Sequence, residues 1–236
     1  MPEHFRRHDE RGRFVPVRRI DSSIAGKVDA VATEIAGCLF PEQAESDDPD
    51  KTGPHDLAVY TATELINNVL QHARAGGFVS AQVYPNFQLV RLAIADSGIG
   101  IRGSFEENQP SFWDAAMTDL DALRFALQPE VSSKASVKSG WSSGGINAGV
   151  GLSILKQLAQ LANGIFTLAS YTGFFQSNYQ HKYPSELQLP VAYPGTLCAI
   201  QVSQAKLLSQ QEILMQAKSR LGLLDKTHPF DDLFES

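Results

Sequence analysis

The order of hydrophobic patterns along the chain predicts an α/β sandwich, with a mixed, mostly antiparallel sheet covered by helices on one face. The elements run helix, two strands, long loop, helix, two strands. "FVSAQVY" and "QLVRLAIAD" (78–84 and 88–96) form a hairpin pattern around Pro85-Asn86, its alternation fading into a buried apolar end. Two helical stretches closed by glycine, at Gly76-Gly77 and at Gly164, supply the covering layer.

Taken in order, residues 1–19 carry six arginines around a short extended piece, "RFVPV", and read as a solvated arm. From Asp21 a helical pattern runs to about Phe40, apolar at Ile24, Val28, Val31, Ala32 and Ile35. "PEQAESDDPDKTGP" is acidic, rich in breakers, and reads as a loop, after which Pro54 opens the next helix. Residues 103–148 are weakly periodic except for "TDLDALRFAL", where Thr118 and Asp121 have capping-box spacing. "GVGLSILKQLAQLANG" is a helix. The strands "IFTLASY" and "TLCAIQV" then flank an irregular insertion at 173–195. A final amphipathic helix, about 204–222, leads to a polar tail. The division is 1–53 as arm, strand and helix packed on the domain, 54–203 as the main domain, and 204–236 as helix and tail.

The bulk numbers exclude several classes. With 236 residues and 43% hydrophobic content the chain builds a proper core. A net charge of −6 gives no global attraction for nucleic acid or an anionic membrane. Two distant cysteines in apolar settings, Cys38 and Cys198, form neither a disulfide framework nor a zinc spacing. There is no signal-peptide pattern and no apolar run of membrane-spanning length, so a soluble cytoplasmic protein is expected.

Three motifs carry chemistry. In "TELINNVLQHARAGG" (63–77), Glu64, Asn68 and His72 recur at i, i+4 and i+8 and form one ridge, while Ala58, Ala62, Leu65, Ile66, Val69 and Ala73 form the core stripe. Asparagine is a mediocre helix former, and no Lys or Arg occurs between His55 and Ala73. An amide oxygen suits Mg²⁺, which takes few protein oxygens when phosphates supply others. A carboxylate one turn away can orient or deprotonate a hydroxyl. The same ridge is equally compatible with a polar surface face. In "IADSGIGI" (94–101), Asp96 follows a buried strand end and precedes Gly98 and Gly100. A carboxylate there that accepted from an exocyclic amine would select adenine over guanine, although a plain Asp-Gly turn reads alike. In "GGINAGVGLSIL" (144–155), glycines lead into a helix whose free N–H groups form a phosphate site, or else a hinge. It is neither a Walker A loop nor a Rossmann fingerprint.

In this order and at these intervals the three motifs resemble the N, G1 and G2 boxes of the GHKL clan, which comprises gyrase B, ATP-dependent chaperones, histidine kinases and MutL. The clan shares the Bergerat ATP-binding fold, and the resemblance covers roughly residues 55–203. "PGTLCAIQV" is similar to the clan's last strand, where a threonine at the position of Thr196 supports the adenine-binding aspartate. The resemblance implies that Asn68 binds Mg²⁺ and Asp96 accepts from the adenine amino group. It implies that Gly98 and Gly100 shape the adenine pocket, and that Gly149, Gly151 and their neighbours wrap the phosphates. His72, Ile101, Leu152 and Ser153 fall on further nucleotide-contacting positions, and residues 103–148 on the ATP lid.

Within the clan, "ELINNVLQHAR" reads much like the anti-sigma-factor serine kinases, small free-standing domains with Glu, Asn and His at these intervals. Two function classes follow from the resemblance. In one, the chain is a protein kinase that moves the γ-phosphate of ATP to a partner's serine or threonine, with Glu64 catalytic. In the other, it is a nucleotide-gated binding module that holds or releases a regulatory protein. A module serving a separate histidine phosphoacceptor is a third reading. The expected ligands are ATP, ADP and Mg²⁺. The expected partner is a regulatory protein, with no nucleic acid and no membrane, and a homodimer is compatible with the pattern.

Overall fold

The computed structural model describes residues 13–45, 49–129, 151–207 and 210–222. The alternation at 77–96 folds as the hairpin it predicts. Strand β2 (Gly77–Tyr84) pairs with β3 (Leu89–Asp96) in unbroken register from Gly77 opposite Asp96 to Tyr84 opposite Leu89. The turn between them is a short 3-10 helix, Pro85–Phe87, that leaves Gln88 at a φ of +50°. Outside β2 lies β1 (Phe14–Ile20), so "RFVPV" lengthens into an edge strand. Its register shifts between Val15 and Arg18, around Pro16, which has no N–H to give a ladder.

On the other side of β3, β5 (Ser185–Ser203) pairs antiparallel and in turn carries β4 (Ile165–Asn178). The sheet order is β1-β2-β3-β5-β4, and every pairing among the described residues is antiparallel. The stretch 173–195 is therefore no irregular insertion. Most of it is the outer halves of β4 and β5, which run on past a register shift between Ser170 and Gly173. On β4 the outer half still alternates, with Gly173 against Asp119 and Phe175 in the core, whereas on β5 it is mostly exposed, Leu187 and Val191 included, which weakens the apolar pattern.

One face of the sheet takes the helices. These are α1 (Val28–Leu39), the short α2 (Pro41–Ala44), α3 (Pro49–His72), α6 (Gly151–Leu161) and α7 (Gln210–Arg220). Between them in the chain come α4 (Gly100–Asn108) and α5 (Asp119–Ala126). Leu65, Ile66 and Val69 of α3 join Leu155 and Leu158 of α6 and Ile35 of α1 over Val79, Leu92, Ile94, Phe166, Leu168 and Ile200 of the sheet. The opposite sheet face presents Phe78, Gln82 and Arg91 to solvent. The two-layer α/β sandwich is the observed architecture.

Three elements depart from the pattern-based expectation. Residues 21–40 form a 3-10 turn (Ser22–Ile24) capped by Asp21 and then α1, instead of one helix. The acidic stretch 41–54 contains α2 and the first turn of α3, so Pro54 lies inside a helix that begins at Pro49. As the sixth residue of α3, Pro54 lacks the N–H that would bond the carbonyl four residues back, so the helix goes without one intrahelical bond there. Finally, α4 begins at Gly100, where the sequence shows no periodic stripe. It is held by a second cluster in which Phe105 meets Phe112 edge-on at 5.0 Å and Phe112 stacks on Phe125 at 5.0 Å, with Met117 and Ala122 buried beside them. The predicted capping box of α5 is present: Thr118 Oγ1 accepts from the Asp121 N–H, and Asp121 accepts from Thr118. Of the stretch 103–148, residues 103–129 are thus folded, and 130–148 lie outside the described residues.

Of the six leading arginines, Arg18 and Arg19 belong to β1, and Arg18 forms a two-pronged pair with Glu34 of α1 at 3.0 Å. Among the described residues no helix is long and apolar enough to cross a membrane.

Candidate functional site

Asp96 sits where β3 ends, and the backbone of two separate segments holds its carboxylate. Oδ1 accepts from the Gly98 N–H at 2.8 Å and from the Thr196 N–H at 3.2 Å. Thr196 therefore supports Asp96 through its main chain. Both bonds fall on one oxygen, and among the described residues Oδ2 accepts none. Burial raises the Asp96 pKa, and the two N–H bonds offset only part of that rise. The Asp96 carbonyl accepts from Tyr193 Oη at 3.0 Å, a contact that motif reading did not anticipate.

Glycines allow this convergence. A Cβ on Gly98 would overlap the Ala73 carbonyl at the end of α3, and one on Gly195 (φ +106°) would overlap the Asp96 backbone. Gly100, at φ +69°, lies against Ser170 and the Tyr171 ring. Ser170 Oγ donates to the Gly195 carbonyl at 3.1 Å and accepts from the Ile101 N–H at 3.0 Å. The "DSGIG" turn is thus tied to α3, β4 and β5 together. Ile101 itself turns inward and packs on the core and on the Phe105 cluster.

The ridge on α3 connects two other elements. At one end Glu64, 5% exposed, lies against Gly151 at the start of α6, where a Cβ would overlap Oε2. Burial pushes the Glu64 carboxyl up to about 7. At the other end His72 Nδ1 is 3.4 Å from Ser104 Oγ of α4. Asn68 falls midway, and its Nδ2 is buried with no hydrogen-bond partner among the described residues. Tyr60, one turn before Glu64, extends the ridge. Its buried phenol is held well above its ordinary pKa, first by desolvation and then by the Glu64 charge. Its i−4 spacing was the available signal for it.

Of the other expected positions, Leu152 packs against both apolar clusters and Ser153 is fully buried, so both side chains face the protein. What they can offer a ligand is their N–H groups in the first turn of α6. Gly149 lies outside the described residues.

The chain matches no protein-family model and has no significant match among curated proteins.

The arrangement has a definite chemical capacity. A fixed carboxylate with one oxygen left over, at a strand end lined by glycines, suits a neutral N–H donor such as an exocyclic amine. A buried amide donor without an acceptor is a cost that a bound oxygen would remove. A carboxylic acid poised near neutrality exchanges a proton readily. Among the described residues no group of three or more His, Cys, Asp or Glu comes together to hold a metal. A cation at this ridge would therefore depend on Asn68 Oδ1 and on oxygens that a ligand brings, which is the donor set Mg²⁺ accepts.

Proposed function

We propose that the chain is a Mg²⁺–ATP-binding domain of the histidine-kinase-like (GHKL) type, working in the cytoplasm as a regulatory serine/threonine kinase on a partner protein. The observation that carries this reading is Asp96, held through Oδ1 alone by Gly98 and Thr196 with Oδ2 left to accept. An adenine amine supplies the matching donor, whereas guanine presents a carbonyl there. Asn68 Oδ1 would take Mg²⁺, the N–H groups at the start of α6 would face phosphate, and bound ATP would supply the transferable phosphoryl group. Glu64, near neutral in its pKa, would remove the proton from the partner's hydroxyl.

A second reading has its own support. The contact of Glu64 with Gly151 also suits a structural carboxylate that ties α3 to α6, as in a nucleotide-gated binding module that hydrolyses ATP slowly or not at all. Calorimetry of the full chain with ATP, ADP and GTP in the presence of Mg²⁺ tests the nucleotide assignment. ATP and ADP should bind and GTP should bind much more weakly. Equal affinities for ATP and GTP would remove the adenine assignment.

A further inference from the structure

Away from Asp96 and Asn68, the outer hairpin of β4 and β5, the end of α5 and the side of α6 enclose a cleft of about 300 Å³. That volume is at the small end of ligand pockets. Its charge is unbalanced. Arg124 has Nε and Nη2 on Glu186 Oε2 at 2.8 and 2.7 Å and Nη1 on Asp121 at 3.1 Å, so Glu186, the acidic side chain that lines the cleft among the described residues, is already paired. Lys156 and Lys182 also line it, and neither has an ion pair among the described residues. Lys156 is half-buried, with its Nζ 3.5 Å from the Leu127 carbonyl and 5.9 Å from the Phe175 ring centroid. An ammonium has three donors, and these two long contacts leave most of that capacity unused. Burial lowers the Lys156 pKa, and the nearby Glu186 charge offsets only part of that.

A second observation is independent of charge. Ser177, 3% exposed, lines the cleft two residues after Phe175 on the same face of β4, and its Oγ is buried without a hydrogen-bond partner among the described residues. Buried hydroxyls are usually paired, so an orphan in the same cleft as an under-used ammonium marks a place where polar atoms of a ligand belong.

We propose that this cleft binds a small carboxylate metabolite bearing further hydroxyl or amino groups. Lys156 pairs with the carboxylate and Ser177 hydrogen-bonds to it, while the short carbon skeleton lies on Leu127 and Phe175. Gln128, Gln157 and Gln160 line the cleft with amides that both donate and accept, which suits the ligand's remaining polar groups. A carboxylate fits better than a phosphoryl group because no arginine fork is spare and the cleft meets α6 along its side, at Lys156, Gln157 and Gln160, away from its N-terminus.

The test is titration of the full chain with L-malate, L-glutamate and pyruvate at up to millimolar concentration, and with inorganic phosphate as the competing anion. Binding is followed by calorimetry and by amide chemical shifts. At least one carboxylate should saturate, and Lys156→Met should weaken it about tenfold or more. Ser177→Ala should weaken it as well while leaving the unliganded melting temperature unchanged or higher, since it removes an unsatisfied buried hydroxyl. That second variant keeps the test decisive if Lys156→Met fails to fold. Saturation by phosphate with no carboxylate binding would overturn the ligand class. No saturation by any probe, or saturation indifferent to both substitutions, would overturn the site.

Discussion

Gly151, the first residue of α6, lies so close to the Glu64 carboxylate of α3 that a single methyl group on it would overlap Oε2. Two segments some ninety residues apart in the chain thus meet at a buried acid, and the glycine is there for lack of a side chain. Gly151→Ala should displace Glu64 and destabilise the fold by about 1–3 kcal/mol, the usual cost of overpacking. Thermal unfolding checks this, and an unchanged midpoint would mean that Glu64 moves freely.

The same carboxyl makes stability depend on pH in an unusual direction. Its folded value of about 7 lies above its ordinary 4.5, so the native protein keeps a proton that the unfolded chain has lost. The stabilising contribution is complete below 4.5 and fades as pH rises through 7, a loss of at most about 3 kcal/mol. Glu64→Gln cannot ionise and escapes that loss. Its melting temperature should gain on wild type steadily between those two pH values and then level off. A constant difference would place the Glu64 pKa elsewhere.

Asp96→Asn separates binding from folding. An asparagine amide oxygen can still accept from Gly98 and Thr196, so stability should change by about 1 kcal/mol or less. The amide nitrogen then takes the place of Oδ2 and turns an acceptor into a donor. ATP affinity should fall by about 1–3 kcal/mol, with the preference moving towards GTP. Calorimetry on wild type and variant measures both. A fold that collapses instead would show the carboxylate charge itself to be structural.

Much of this was legible in the sequence, and the exceptions have physical causes. The β2–β3 hairpin, the α5 capping box and the core stripe of α3 are local patterns, and each was readable from spacing. So were Glu64, Asn68 and His72 as one ridge, since helical periodicity fixes that geometry. The partners of those residues were not readable. Gly151 against Glu64, Ser104 beside His72 and Tyr193 on the Asp96 carbonyl are contacts between distant segments. The outer half of β5 was missed because it is mostly exposed and lacks the alternation that marks a half-buried strand, and that of β4 because only one of its buried positions, Phe175, is a large apolar residue. Helix α4 was missed because its apolar anchors are few, Phe105 and Ile101, and Phe105 packs on aromatics that follow it in the chain.

That anchor gives a prediction about order. Residues 103–129 read from sequence as part of a loose lid, whereas Phe105 is 3% exposed and pairs with Phe112, which stacks on Phe125. Amides of α4 and α5 should therefore resist hydrogen exchange even without nucleotide. Phe105→Ala should cost about 3 kcal/mol or more and deprotect both helices together. Fast exchange in wild-type α5 would return this stretch to the lid.

The last prediction concerns the chemistry of Glu64, where the two functional readings part. If it acts as a base, Glu64→Gln keeps the shape and the contact with Gly151 but cannot take a proton. Nucleotide affinity should stay within a few fold while turnover falls by roughly 10²-fold or more. Wild-type turnover should rise with pH up to about 7, because only the deprotonated carboxylate accepts, and then flatten. Asn68→Ala should instead weaken Mg²⁺–ATP binding itself. Product chemistry gives an independent check, since a serine or threonine kinase leaves acid-stable phosphate on its partner and a histidine acceptor leaves acid-labile phosphate. If Glu64→Gln turns over ATP as fast as wild type, the carboxylate is a tie between α3 and α6, and the nucleotide-gated module is the better account.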